Sequence, residues 1–166
     1  MICYDDYPIR ILILNLIELL LALVVGVLLV AQLGWWAVLS YAAVGCLGLI
    51  LALAYGCTRC FYYGRVCGLG LGKMAARIFH QRDEEEFGQA LSQTVAWTLV
   101  GLVLALPVAA GLVSLSTHFS AAGLAMLVVF LVLIVVIVLT HSRYVCGHCR
   151  QARDSRCTLG RMAGLS

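Results

Sequence analysis

The chain has 166 residues, 63% of them hydrophobic and 11% charged, with a net charge of +3 and a mean hydropathy of +1.03. That balance excludes an ordinary soluble domain, in which about a quarter of the residues are charged. It also gives no reason to invoke nucleic acid, because a face beside anionic lipid accounts for a small excess of cations.

A helix rises about 1.5 Å per residue, so a hydrocarbon core of roughly 30 Å takes about 20 apolar residues. The first segment that long covers 9–33 and is interrupted by Asn15 and Glu18. It follows Asp5 and Asp6 rather than a basic stretch, and so reads as a retained span, not a cleaved signal peptide. Glu18 is the one formally charged residue well inside a span, where a carboxylate costs roughly 2.5 kcal/mol or more. It is therefore expected to face the bundle interior with Asn15, one turn earlier on the same face. Interhelical hydrogen bonding and a proton, ion or headgroup role both suit such a patch.

The second span is read over 36–55, after Trp35 and Trp36 at a tight turn. Next come Cys57, Cys60 and Cys67 among Gly64, Gly68, Gly70 and Gly72, where positive φ would let the chain fold tightly. Residues 73–90 predict a short amphipathic helix leading into a third span over 91–113, which Pro107 is expected to kink. A fourth span over 121–140 precedes Cys146, Cys149 and Cys157. Gly26, Gly45, Gly48, Gly101, Gly111 and Gly123 are expected to allow close helix packing. The fold class is an all-α membrane protein with four transmembrane helices.

The eleven Lys and Arg residues stand at Arg10, between spans two and three, and after span four; the other two loops have none. Positive residues near span ends stay cytoplasmic, so both termini and the central loop are expected inside, in the plasma or inner membrane of a prokaryote. Tyr55, Tyr62, Tyr63 and Tyr144 fall at the depth of an inner aromatic belt.

An internal repeat organises the chain. Tyr55-Gly56-Cys57-Thr58-Arg59-Cys60 corresponds to Tyr144-Val145-Cys146-Gly147-His148-Cys149, 89 positions later. A third cysteine follows in each, then Leu71-Gly72-Lys73-Met74-Ala75 and Leu159-Gly160-Arg161-Met162-Ala163. Two tandem helical hairpins result, 1–78 and 79–166, related by a parallel pseudo-two-fold axis.

Seven of the eight cysteines lie at or beyond the expected inner span ends, in a reducing compartment where metal binding or redox chemistry is favoured over lasting disulfides. Cys46, deeper in span two, reads as a packed apolar residue. Two C-x2-C pairs can close on one tetrahedral zinc ion. Alternatively, each copy holds its own site, Cys57, Cys60 and Cys67 with His80, or Cys146, Cys149 and Cys157 with His141 or His148. An iron-sulfur cluster is the alternative cofactor.

The element Cys57 to Gly68 resembles small four-span membrane proteins that carry C-x2-C-x-Y-Y-G-x-x-C-G, a resemblance that implies the layout and brings no activity with it. Mercury-uptake proteins are similar in size and cysteine content, but span one here has no cysteine to carry the ion. Quinone-linked thiol oxidoreductases also use C-x2-C, with working pairs on the outer face. No Ser-His-Asp arrangement, phosphate loop or helical H-E-x-x-H occurs, so enzymatic activity is open but not favoured. The expected function is a zinc-stabilised platform for a protein partner on the cytoplasmic face. Thiol or electron transfer and metal-ion transport are the alternatives, and monomer and homodimer are both allowed.

Overall fold

The computed structural model describes residues 3–83 and 90–150, and the regular elements among them are all helical. They are α1 (Ile9–Ala31), α2 (Trp35–Leu51), α3 (Leu71–Ile78), α4 (Ala90–Thr117) and α5 (Ala121–Thr140). Four stretches are long and apolar enough to cross a membrane: Ile9–Ala31, Trp35–Arg59, Thr98–Thr117 and Ala121–His148.

The second and fourth stretches overrun the ends expected at 55 and 140. Each helix opens into a wide π turn, Ala52–Gly56 and His141–Val145, and then tightens into a 3₁₀ turn, Cys57–Arg59 and Cys146–His148. No proline stops either helix, and side chains take up the carbonyls that the changing turns release. Thr58 Oγ1 donates to Ala54 O at 2.7 Å, Arg59 Nη1 to Tyr55 O at 3.2 Å, and Ser142 Oγ to Leu139 O at 3.0 Å. Both C-x2-C pairs thus begin as the last turn of a span.

The helix expected over 73–90 is shorter and earlier. α3 begins at Leu71 and ends at Ile78, and Phe79 is extended at φ −124° and ψ 151°. Two bonds draw the chain back over the first cysteine element: Tyr63 Oη donates to Phe79 O at 2.7 Å, and the Arg82 N–H donates to Thr58 O at 2.9 Å. The third span lies within α4, which runs from Ala90 to Thr117 and takes in the expected 91–113.

α1 is central, packing on α5, α4 and α2, while α2 also packs on α4, and α4 on α5. Ala22, Leu29, Leu127 and Phe130 form one core cluster, and Val30, Tyr41 and Ala110 another. A Cβ on Gly26 would lie 3.1 Å from Tyr41 Oη and 3.3 Å from both Phe130 and Pro107; one on Gly111 would lie 3.1 Å from Leu127. These two glycines allow close helix crossing as expected. Gly48 and Gly123 meet only ordinary contacts, and Gly45 and Gly101 meet nothing within 4 Å. Pro107 is fully buried within α4, filling the seam beside Gly26. The outer faces carry exposed Leu, Ile and Val along every span, as expected where lipid replaces a core.

Candidate functional site

The polar residues of α1 face inward. Asn15 and Glu18 are buried. Asn15 Nδ2 donates to Ile11 O at 2.9 Å and to Gly68 O at 3.2 Å, tying α1 to the first cysteine loop. Glu18 Oε2 accepts from Thr140 Oγ1 at 2.7 Å, joining the first span to the end of the last. His141, the next residue after Thr140, is within electrostatic reach of Glu18. A buried polar group costs little once bonded, and both have partners here.

Above this patch the two cysteine elements meet, held together by the segment before α1. The Tyr4 N–H donates to His148 O at 3.1 Å and the Tyr7 N–H to Val66 O at 3.0 Å. Tyr7 Oη donates to Val145 O at 2.7 Å, Tyr62 Oη to Tyr4 O at 2.7 Å, and the Val66 N–H to Asp6 Oδ1 at 2.8 Å. Arg150 completes the closure: its N–H donates to Tyr62 Oη at 3.2 Å and its guanidinium meets Asp5 at 3.3 Å. Residues 4–7 therefore form a strap bonded to both elements. Its core is Tyr7, Tyr62 and Val145, with Cys60, Cys67 and Cys149 packed against it. Tyr62, expected in an aromatic belt, is only 2% exposed and belongs to this core.

The glycines of the first element act in two ways. Gly64 and Gly70 take φ of +75° and +73°. Gly68 and Gly72 answer to close approach instead. A Cβ on Gly68 would come 2.7 Å from Val145 Cγ1, and one on Gly72 would clash with Tyr62 O. With no side chain in the way, the Gly72 N–H reaches Cys67 Sγ at 3.4 Å.

Cys60 lies where the two cysteine elements join, in electrostatic reach of Cys149 from the second and of Cys57 and Cys67 from its own. Burial pushes its thiol up to about 12; the three neighbouring sulfurs add to the rise and the Tyr62 N–H opposes it. Cys146 is buried, whereas Cys57, Cys67 and Cys149 are half-buried. Cys46 is exposed on the outside of α2, not packed as expected, because its face of the helix points away from α1 and α4.

The histidines separate. His80 is exposed beyond α3. His141 stays at the end of α5. His148 stacks on Tyr4 with ring centroids 4.9 Å apart, and its buried Nδ1 has no hydrogen-bond partner. Cys157 and the second L-G-R-M-A segment lie outside the described residues. Among the described residues, no three His, Cys, Asp or Glu side chains are gathered tightly enough to hold a metal ion as they stand.

Fold and site define a class: an integral membrane protein of four apolar helices with a strapped, cysteine-bearing end. Comparison with protein families, with curated proteins and with solved structures gives no match for this chain. Sequence reasoning missed Tyr4, Tyr7 and Thr140. The available signals were two tyrosines in a segment too short to be an element, and a hydroxyl at a span end facing a buried acid.

Proposed function

We propose that this is a non-enzymatic membrane protein whose cysteine end takes up a soft divalent ion, zinc by preference, and so stiffens a platform for a protein partner. The observation that carries the reading is the position of Cys60 among Cys57, Cys67 and Cys149, which joins thiols from both C-x2-C elements in one cap. The Gly72 N–H reaches Cys67 Sγ, and a bound ion would itself displace the proton that burial favours on Cys60. The unpartnered His148 Nδ1 adds an imidazole nitrogen of the kind zinc accepts. The distribution of Lys and Arg directs this end to the cytoplasm.

Dithiol exchange is less well supported, because it needs a thiolate with no ion to displace the proton, and burial disfavours that form at Cys60. Transport would use the Asn15 and Glu18 patch, whose groups are engaged with Gly68 and Thr140.

The test is elemental analysis and a visible spectrum on anaerobically purified protein, alongside Cys60→Ser and Cys149→Ser. Near-stoichiometric zinc, lost in both variants, is the expected result. Iron with visible absorption would redirect the reading to electron transfer through an iron-sulfur cluster. Metal-free protein would overturn it.

A further inference from the structure

The eight residues of α3 have three distinct faces. Gly72 and Ala75 are buried, and the helix packs on the π turn Ala52–Gly56 and the 3₁₀ turn Cys57–Arg59 that finish the second span. Met74 and Ile78, four residues apart and hence on one face, are 38% and 60% exposed. Lys73 and Arg77 form a second exposed row beside them. A helix of this composition would be wasteful in water, yet it lies beside the last turns of a span. Arg10, Arg65, Arg143 and Arg150 are also exposed at this end of the bundle.

We infer that α3 is an interfacial helix that docks on the bilayer, with Met74 and Ile78 set into the acyl boundary and Lys73 and Arg77 holding the phosphate of an anionic phospholipid. The partner is the lipid itself, chosen by charge complementarity and by the position of α3 against the span end. Apolar area supplies the depth and the two cations supply the headgroup preference. The inference stands apart from metal binding, since neither Lys73 nor Arg77 is a thiol ligand.

The full chain in detergent is titrated with short-chain phosphatidylglycerol, with the phosphatidylcholine of equal chain length, and with inorganic phosphate. The wild type is expected to prefer phosphatidylglycerol. Lys73→Gln with Arg77→Gln should weaken that lipid by roughly tenfold, the scale for two surface cations after screening, and leave phosphatidylcholine unchanged. Lys73→Arg with Arg77→Lys keeps both charges and should retain the preference, which separates charge recognition from damage to the fold. A wild type without preference, a glutamine variant that keeps it, or inorganic phosphate that binds as well as the lipid would each overturn the inference.

Discussion

Tyr7 carries more of the cap than its place ahead of the first span suggests. Its hydroxyl is a donor to Val145 O, so the phenol must keep its proton, and burial raises its ionisation well above the ordinary value of 10.0. The neutral form is the one favoured by folding. The resulting stability is therefore fully present below pH 10 and is lost as the pH climbs through the raised folded-state value. Tyr7→Phe should cost about 1 kcal/mol near neutrality and make alkaline unfolding shallower, measured by thermal melts in detergent across the alkaline range. Gly72 is constrained by the Tyr62 carbonyl, and a methyl there has nowhere to go. Gly72→Ala should destabilise by about 3 kcal/mol or more. Gly45→Ala, in open space within α2, should gain about 0.5 kcal/mol from lower chain entropy. Parallel melts that rank the two variants the other way would contradict the packing described.

At the scale of elements, the strap and the two span ends form one joint. The strap is not a strand or a helix, and four of its bonds are made with backbone N–H or carbonyl groups of the two cysteine elements. Tyr4 adds a ring stacked on His148 and the carbonyl that Tyr62 grips. Removing residues 1–7 should therefore open Cys60 and Cys149 to solvent. Maleimide labelling at neutral pH should rise from slow to rapid at these two positions, with Cys46 in the lipid-facing wall as the unchanged control. Equal labelling with and without the strap would show that the thiols are shielded by something else.

For the whole molecule, the four spans were legible because the membrane enforces length and apolarity so strongly that each helix is visible without knowledge of its neighbours. Glu18 was legible for the same reason, since an acid at that depth has to face inward, and it does. The helix limits at Cys57, Cys146 and Ile78 were less so, because they depend on particular bonds, local ones from Thr58 and Ser142 and longer-range ones from Tyr63 and Arg82, rather than on composition. Among the glycines, only contact geometry could separate Gly26 and Gly111 from Gly45 and Gly101, as all four read alike in an apolar helix. The strap was the least legible part. Its partners lie from 58 to 145 residues away and are mostly backbone atoms, which leave no side-chain pattern to read.

That distance has a consequence for synthesis. Residues 4–7 leave the ribosome before any of the four spans, whereas Val145, His148 and Arg150 follow only after all four have been made. Contacts of such sequence separation are the slow ones to form, so the cap can close only after the last helix has been inserted. Until then Cys60 and its neighbours lack the contacts that the second element supplies. Under the proposed function, loading an ion and burying the thiols then become a single late event, and a chain that stalls before its fourth span lacks the second element's share of the cap.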